Sequence, residues 1–374
     1  MTHIKVGIVG CGTISGIYLK NLASRWEFVT VAAVADLERS RAQARAREFG
    51  VERVLTTEEL LADGDIRLVV NLTTPPFHAS VCRQALEAGK SVYVEKPLAL
   101  TTEEADEVLA LAERKGLLVG CAPDTFLGSG QQTCRRLVDE GAIGEVVAAV
   151  AFMAGHGHES WHPDPEFYYK RGGGPMLDMG PYYLTALVNL LGPIDRVSGS
   201  ARMSFPERTI TSKPKAGTKI TVETPTHLAG TLDFASGAIG TVVMSFDVWK
   251  HNLPRIELYG TKGSLSVPDP NTFGGPVKLF RQGESDWSEI PLIDSGYNEN
   301  SRGLGVADMA LAIAEKRTQR AAGQVGRHVL EAMLAFEKSS LSGQSVRIGS
   351  RCSRPEPLGS AVAERTGKTS GEKA

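Results

Sequence analysis

The feature that most constrains the fold is a glycine-rich turn that directly follows the first strand-like segment. Residues 4–9 read IKVGIV, a run rich in β-branched residues, and GCGTISG (10–16) follows at once. A helix-like run, IYLKNLASR, comes next, and VTVAAVA (29–35) predicts a second strand that ends in Asp36. Strand, GxGxxG, helix, strand and acid in this order indicate a dinucleotide-binding βαβ unit.

The chemistry of a dinucleotide explains the residue types in this turn. Gly10 allows the tight turn, Gly12 lets the pyrophosphate approach the backbone, and Gly16 permits close packing of helix on strand. The pyrophosphate is expected to rest on backbone amides at the helix N-terminus. We therefore predict that Thr13 and Ile14 also contact the cofactor.

Asp36 is predicted to select the cofactor. Its carboxylate is expected to accept hydrogen bonds from the ribose hydroxyls, and because it repels a 2′-phosphate it favours NAD over NADP. Arg39, Ser40 and Arg41 follow and are able to meet that phosphate, so NADP stays open. The same arginines also fit the solvated face of an exposed helix.

Two further strand-like segments are followed by candidate site residues. RLVVNL (67–72) and SVYV (91–94) are apolar, as strands of a buried parallel sheet are, and ligands bind beyond the carboxyl ends of such strands. After the first segment the predicted cofactor-binding residues are Thr73, Thr74, Pro75 and His78. After the second they are Glu95 and Lys96. Lys96 is also predicted to be catalytic, because its ammonium is able to exchange a proton with a substrate hydroxyl or carbonyl. The alternative is an ordinary Glu95–Lys96 ion pair in a loop.

A second unusual stretch, RGGGPMLDMGPYY (171–183), sets Asp178 among glycines and apolar residues. The segment before it, GHGHESWHPDPEFYY (155–169), is rich in rings that suit carbohydrate faces. We predict that His158, Trp161 and His162 face the substrate. His156, His158 and His162 lack a convincing metal-ligand spacing, so no metal is predicted.

Together these residues resemble the Gfo/Idh/MocA oxidoreductases. The resemblance rests on the N-terminal GxGxxG, on TTPPFH (73–78), on EAGKSVYVEKP (87–97) and on a second signature, GGG-x-x-x-D-x-G-x-H, matched by Gly172–Gly174, Asp178 and Gly180. It implies a Rossmann domain followed by an α/β domain with a large, open, mostly antiparallel sheet that commonly packs against another subunit. It further implies oxidation or reduction of a secondary carbinol of a pyranose or cyclitol with NAD or NADP.

The resemblance assigns catalytic roles to Lys96 and Asp178, but the position of the family's histidine holds Tyr182. A tyrosine is a much weaker base near neutral pH than imidazole, since its unperturbed pKa is about 10. Either Tyr182 acts through its hydroxyl, or one of the three upstream histidines supplies the imidazole while the other two hydrogen-bond within their loop.

Asp178 is predicted to begin a helix and to accept a hydrogen bond from the substrate hydroxyl beside the reacting one, while bare glycines let the substrate approach. The alternative is that Asp178 only caps that helix. Asp124 stands where relatives often carry asparagine. It is predicted to contact substrate, with a turn or capping role as an equal alternative.

Composition sets the remaining expectations. A net charge of −2 argues against nucleic-acid binding, no apolar run is long enough to span a membrane, and five scattered cysteines fit reduced thiols in the cytoplasm. We predict three segments: a dinucleotide-binding domain (1–122), a substrate-binding and oligomerisation domain (123–349) and a polar, poorly ordered tail (350–374). Assembly into a homodimer or homotetramer is expected through the open sheet.

The leading hypothesis is an NAD(P)-dependent sugar or cyclitol dehydrogenase. One alternative is a glycosidase-like hydrolase that uses NAD for oxidation, elimination and re-reduction. The other is a cofactor-bound sensor without catalysis, which the replacement of histidine by Tyr182 keeps open.

Overall fold

The structure is a computed structural model that describes residues 3–358. Its helices are α1 (Ser15–Ser24), α2 (Arg39–Phe49), α3 (Thr57–Ala62), α4 (Pro75–Glu87), α5 (Thr102–Lys115), α6 (Ser129–Asp139), α7 (Gly174–Leu191), α8 (Leu304–Glu315) and α9 (Gly323–Ser342), with 3₁₀ turns at Thr125–Leu127 and Glu166–Tyr169. Its strands are β1 (Ile4–Val9), β2 (Val29–Ala35), β3 (Ile66–Asn71), β4 (Ser91–Val94), β5 (Val119–Cys121), β6 (Val146–Ala154), β7 (Ile194–Arg202), β8 (Glu207–Thr209), β9 (Lys219–Thr221), β10 (His227–Phe234), β11 (Ile239–Ser245), β12 (Ile256–Gly260), β13 (Gly263–Val267), β14 (Val277–Arg281), β15 (Ser288–Ile290) and β16 (Val346–Arg347).

The first sheet has five parallel strands in the order β2-β1-β3-β4-β5. Its strands are runs of β-branched and other apolar residues that are almost wholly buried, as a sheet covered by helices requires. The chain leaves β1 for β2 on one side and returns to β3 on the other. The strand order therefore reverses between β1 and β3, and ligands bind at such a switch point.

The second sheet has nine strands in the order β15-β14-β13-β12-β6-β11-β10-β7-β16. Its neighbours are antiparallel except for β6 and β11, which run parallel. Helix α7 packs on β6, β10 and β11. Helix α9 packs so closely that a Cβ added at Gly199 or Gly230 would lie 2.7 or 2.9 Å from the Phe336 ring. The predicted Rossmann sheet and large, mostly antiparallel second sheet are thus confirmed.

The described chain divides into two compact units. Residues up to Gln132, Ile293–Arg327 and the described residues from Pro355 onward form the first, while Thr133–Leu292 and His328–Arg354 form the second. The domain boundaries predicted above, at 122 and 349, stay a prediction. No helix among residues 3–358 is long and apolar enough to cross a membrane.

The start of the predicted polar tail is packed. The Ser350 hydroxyl lies 3.0 Å from His328 Nδ1, and Arg354 donates to the Asn189 carbonyl at 2.8 Å and to Asp139 at 2.6 Å. The expectation of poor order is therefore wrong for the start of this segment, because Ser350 and Arg354 have specific partners. Residues 359–374 lie outside the described part of the chain.

Candidate functional site

The glycine turn lies at the switch point of the parallel sheet. Gly10 has a φ of +98°, and a Cβ added to it would lie 2.6 Å from the Leu72 carbonyl carbon and 2.8 Å from the Thr73 nitrogen. The turn after β1 thus touches the turn after β3, and only glycine allows both this conformation and this approach. The crevice where strand order reverses is therefore bordered by the predicted cofactor residues.

Gly12 differs from Gly10, because a Cβ added there would meet no atom within 4 Å. The Ser15 hydroxyl, at the start of α1, donates to the Gly12 carbonyl at 2.6 Å and holds the turn against the helix. The open space in front of a bare backbone, beside the N-terminus of a helix, fits a pyrophosphate. Thr13 and Ile14 lie in this turn, with Thr13 exposed.

Gly16 has a different neighbour from the one the sequence predicts. A Cβ added at Gly16 would lie 3.3 Å from the Arg45 guanidinium, which belongs to α2, rather than against a strand. The same guanidinium donates to the Gly12 carbonyl at 3.3 Å and pairs with Glu48. Gly16 therefore makes room for a cation on the glycine turn, a contact that sequence spacing did not reveal.

Asp36 is attached to the glycine turn. Its Oδ2 accepts the Cys11 amide at 2.7 Å and its Oδ1 accepts the Glu38 amide at 2.8 Å, which fixes the carboxylate at the end of β2. The next side chain, Leu37, is 95% exposed and presents an apolar surface beside it. Arg41 pairs with Glu38 at 2.8 Å, as expected for a solvated helix face.

The turn after β3 is held by two buried side chains. Asn71, which the sequence analysis did not single out, accepts the Thr73 hydroxyl at 2.6 Å and donates to the His78 carbonyl at 3.0 Å. His78 is fully buried, and its ring nitrogens contact the Pro97 carbonyl at 2.6 Å and the Thr73 carbonyl at 2.9 Å. Burial lowers the pKa of His78. His78 thus joins the turns after β3 and β4. Thr74 is the N-cap of α4, and Pro75 is the first residue of that helix.

Lys96 follows β4 and is half-buried. Glu95 accepts the Tyr18 hydroxyl at 2.8 Å through one oxygen and the Lys96 amide at 3.0 Å through the other. The Glu95 carboxylate therefore fixes the backbone that carries Lys96, so its role exceeds that of a surface ion-pair partner. Lys96 thus lies at the carboxyl end of a parallel strand, which is where ligands of such sheets bind.

Asp124 is 1% exposed, and its Oδ2 accepts the amides of Gly303 and Gly305, each at 2.9 Å. It therefore caps the N-terminus of α8, which begins at Leu304. Burial raises the pKa of Asp124 to about 6. Because the side chain is almost inaccessible and its Oδ2 serves two helix amides, the structure favours the capping alternative.

The second glycine-rich stretch serves the packing of the chain itself. A Cβ added at Gly173 would lie 2.6 Å from the Phe167 carbonyl oxygen, and one at Gly174, where φ is +83°, would lie 2.9 Å from the Pro225 carbonyl oxygen. A side chain at either position would collide with the protein backbone. This close packing explains why both residues are glycines, and no nearby substrate is needed to explain it. Helix α7 begins at Gly174, so Asp178 lies in its second turn and does not cap it.

Asp178 has a histidine partner in the same unit. His158 Nε2 lies 3.5 Å from Asp178 Oδ2, and both side chains are largely buried. The imidazole stacks on Tyr168, with centroids 3.7 Å apart, and meets the edge of Phe246 at 4.8 Å. His158 Nδ1 is buried and has no hydrogen-bond partner in residues 3–358. Its Nε2 therefore faces the carboxylate from within a cage of rings.

The other predicted substrate residues surround this cage. Trp161 is 62% exposed and lies against His158, while His162 contacts Trp161 edge to face. Burial lowers the pKa of His162, and the neighbouring His158 acts in the same direction. Tyr182 is almost fully buried one helical turn after Asp178, hence on the same face of α7.

His156 stands apart from the Asp178 pair. It stacks on Trp249 with centroids 3.3 Å apart, and its Nε2 lies 3.4 Å from the Arg208 guanidinium. Burial lowers the pKa of His156, and the charge of Arg208 lowers it further. Of the three upstream histidines, His158 is thus the one that the structure places at Asp178. No group of three or more His, Cys, Asp or Glu residues able to hold a metal occurs between residues 3 and 358.

A Rossmann sheet with a glycine turn, an acid at the end of β2 and a lysine after β4 is typical of an NAD-binding oxidoreductase. Models of protein families agree: residues 4–122 match the oxidoreductase family with an NAD-binding Rossmann fold, and residues 131–266 match the GFO/IDH/MocA C-terminal domain. The chain belongs to the Gfo/Idh/MocA family of oxidoreductases and is an NAD-binding enzyme of that family.

Similar proteins include several sugar-specific enzymes. The chain is 28% identical to a dTDP-3,4-didehydro-2,6-dideoxy-alpha-D-glucose 3-reductase of Saccharopolyspora spinosa, over 83% of this chain and 91% of that one. It is also 28% identical to a 1,5-anhydro-D-fructose reductase of Ensifer adhaerens, over 91% and 98%. The fold matches levoglucosan dehydrogenase in complex with NADH and L-sorbose, with a TM-score of 0.79, 22% identity and coverage of 94% and 100%.

Proposed function

We propose that this protein is a dehydrogenase that oxidises or reduces a secondary hydroxyl or keto group of a sugar or cyclitol, with NAD preferred. The observation that carries the proposal is the His158–Asp178 pair inside its cage of rings. The departure from the family signature at Tyr182 is then explained, because an imidazole reaches the aspartate from a different segment. The names of the relatives support sugars and cyclitols as the substrate class.

Lys96 is proposed to exchange the proton of the reacting oxygen. A nicotinamide, when bound, takes up or supplies the hydride. In the reducing direction the Lys96 ammonium gives one proton to the carbonyl oxygen and becomes an amine. In the oxidising direction the neutral Lys96 amine takes the proton of the hydroxyl and becomes an ammonium. The Glu95 carboxylate supports this role by fixing the Lys96 backbone.

Asp178 is proposed to accept a hydrogen bond from the hydroxyl beside the reacting carbon and so to orient the ring. His158 faces the same carboxylate through Nε2, and with Nδ1 buried this nitrogen is the one available for proton exchange. The Tyr182 hydroxyl, one turn further along α7, is proposed as an additional hydrogen-bonding group. Trp161, with most of its indole exposed, offers a face on which the C–H side of a pyranose or cyclitol stacks.

The preference for NAD is proposed from the surroundings of Asp36. Its carboxylate is held in place by two amides, so a 2′-phosphate would meet a fixed negative charge. Arg41, a candidate partner for that phosphate, is paired with Glu38. Leu37, exposed beside Asp36, is proposed to contact the adenine ring.

We further propose that the chain forms a homodimer or homotetramer through the nine-stranded sheet and that it acts in the cytoplasm. Large apolar side chains on that sheet, Val147 on β6 and Ile239 on β11, are half exposed and support burial by a second copy. The five free cysteines support a reducing compartment. Light scattering of the purified protein measures the oligomeric state, and a monomer at micromolar concentration would contradict assembly.

The test is reduction of NAD and NADP by the purified protein across a panel of free pyranoses, cyclitols and glycosides. We expect turnover with one class, and a loss of 100-fold or more in Lys96→Ala (~10²–10⁴ for a general acid–base group). Lys115→Ala, which removes an exposed lysine of the same unit, is the matched control and should keep full turnover.

Other outcomes decide between the alternatives. Measurable NADH binding without turnover on any substrate would contradict a dehydrogenase and favour a sensor. Consumption of a glycoside without net formation of NADH would favour a hydrolase that recycles its cofactor. Full turnover in Lys96→Ala would overturn the role of Lys96.

A further inference from the structure

A buried charge cluster lies next to the proposed catalytic pair. Arg208, on β8, is 5% exposed, and its guanidinium contacts the Glu159 carboxylate at 3.0 Å, the Asp247 carboxylate and the Phe246 carbonyl at 2.7 Å. The Tyr169 hydroxyl donates to Glu159. We call Arg208, Glu159, Asp247 and Tyr169 the Arg208 cluster. Burying these charges is costly, so a functional reason for retaining them is expected.

The cluster is related to the cage of His158 by chain position. Glu159 follows His158, Tyr169 follows Tyr168 and Asp247 follows Phe246. Each partner in the Arg208 cluster is therefore the next residue after one of the three stacked or edge-packed rings.

Backbone contacts strengthen this relation. The Phe246 carbonyl accepts a hydrogen bond from Arg208 itself, and the His158 amide donates to the Tyr169 hydroxyl at 3.3 Å. The guanidinium also lies 5.6 Å from the centroid of the Tyr169 ring, so it contacts all three chain segments that carry the rings. A planar fork with several donors suits this task, whereas a lysine ammonium acts as a point charge.

We propose that Arg208 is a positioning residue that holds the His158 imidazole at Asp178. The proposal rests on the proposed function, in which His158 and Asp178 act on the substrate. Arg208 acts through the backbone of its partners and touches no reacting atom. Because the His158–Asp178 contact is 3.5 Å long, a shift of about 1 Å in the loop would break it, and misplacement by that distance lowers rates roughly 100-fold.

The first measurement does not depend on turnover. In full-length protein with isotope-labelled histidine, the His158 ring nitrogen signals are identified by their loss in His158→Asn. We expect Asp178→Asn to shift these signals in the parent and to leave them unchanged in an Arg208→Lys background. An equal response in both backgrounds would overturn the proposal.

The second measurement is kinetic. We expect Arg208→Lys to lower kcat/KM about 10- to 100-fold, to change the pH profile of kcat and to leave NADH affinity within twofold. In a His158→Asn background the same change should lower kcat/KM by less than threefold. If the fold-loss of kcat/KM in the double variant equals the product of the losses in the two single variants, Arg208 does not act through His158.

Matched variants separate positioning from folding. Arg196→Lys alters an arginine that pairs with Asp233 on the exposed part of the large sheet and should leave both readouts unchanged. If Arg208→Lys folds poorly, Glu159→Gln replaces it in both measurements. This substitution keeps the shape of the cluster, and it should produce the effects expected of Arg208→Lys. If His158→Asn alone keeps full turnover, the proposed role of His158 fails, and the ring-nitrogen measurement still decides whether Arg208 holds the imidazole.

Discussion

Replacing Gly12 by alanine tests the cofactor site most directly, because it changes the site without changing the fold. A Cβ at Gly12 would meet nothing within 4 Å, and its backbone is outside the left-handed region. The free energy of unfolding should therefore stay within ~0.5 kcal/mol of the parent, as for an uncrowded surface position. The methyl group would instead occupy the space in front of the turn.

The loss of cofactor affinity follows from the same geometry. A pyrophosphate pushed away from the turn loses hydrogen bonds to amides, each worth about 1.5–3 kcal/mol for a charged acceptor. Losing one such bond raises the Kd for NADH about 10- to 100-fold. We therefore expect Gly12→Ala to be folded, as stable as the parent and a poor binder of NADH.

Gly10→Ala is the matched contrast, because it combines two unfavourable terms. Its φ of +98° disfavours an L-residue by about 1–2 kcal/mol, and its Cβ would stand 2.6 Å from the Leu72 carbonyl carbon, which adds about 1–3 kcal/mol of overpacking. Urea unfolding should show a loss of about 2–5 kcal/mol. Gly10→Ala should thus lose stability, and Gly12→Ala should not.

Urea denaturation and fluorescence titration with NADH measure both quantities on the same samples. Gly12→Ala binding NADH within twofold of the parent would show that the pyrophosphate does not rest on this turn. Gly10→Ala with parental stability would refute the close contact between the turns after β1 and β3.

Three further predictions concern the pKa of Asp124, the roles of His158 and Tyr182, and the contact between Gly16 and Arg45. The pKa of Asp124 is about 6 in the folded state and lower in the unfolded state, so protonation of this carboxyl stabilises the fold. The stabilisation by protonated Asp124 is complete below pH 4 and is lost as the pH rises through about 6. Relative to Asp124→Asn, the parent should lose up to about 3 kcal/mol of unfolding free energy between pH 4 and 7, and parallel urea curves across this range would contradict the raised pKa. His158→Asn should lower kcat/KM about 100-fold or more and Tyr182→Phe less than 10-fold, and the reverse order in steady-state kinetics would return the imidazole's role to Tyr182. Gly16→Ala should push the Arg45 guanidinium off the Gly12 carbonyl and weaken NADH binding a few-fold, and an Arg45→Met variant without any loss in a binding titration would show that this cation is dispensable.

The backbone geometry of the proposed cofactor site was largely predictable from sequence. Gly10 and Gly12 lie in the expected turn and Asp36 at the end of β2, because turn conformation and strand ends depend on residues close together along the chain. The sequence also indicated that Lys96 follows a parallel strand, where ligands bind, and its role stays a prediction. His78 was predicted to bind the cofactor, and only the structure shows that it lies in α4 with its ring buried as a link between two turns.

Spacing was least informative where a residue's partner lies far along the chain. A capping role was one of two equal alternatives for Asp124, but the helix that it caps, through amides 179 and 181 positions away, is not indicated by the residues beside it. Gly173 and Gly174 were expected to clear a path for substrate, yet their neighbours are carbonyls of the chain itself. Asp178 was expected at the start of a helix that in fact begins one turn earlier.

The sequence by itself determined the family, the Rossmann sheet and the glycine turn, because hydrophobic periodicity and turn chemistry are local properties. The tertiary structure alone decided that His158 faces Asp178, that Arg208 joins the segments behind it and that Arg45 lies on the glycine turn. These contacts link residues from different elements, and they form only when sheet register and loop packing bring those elements together. Side-chain partners across a fold depend on that packing, which residue spacing does not specify.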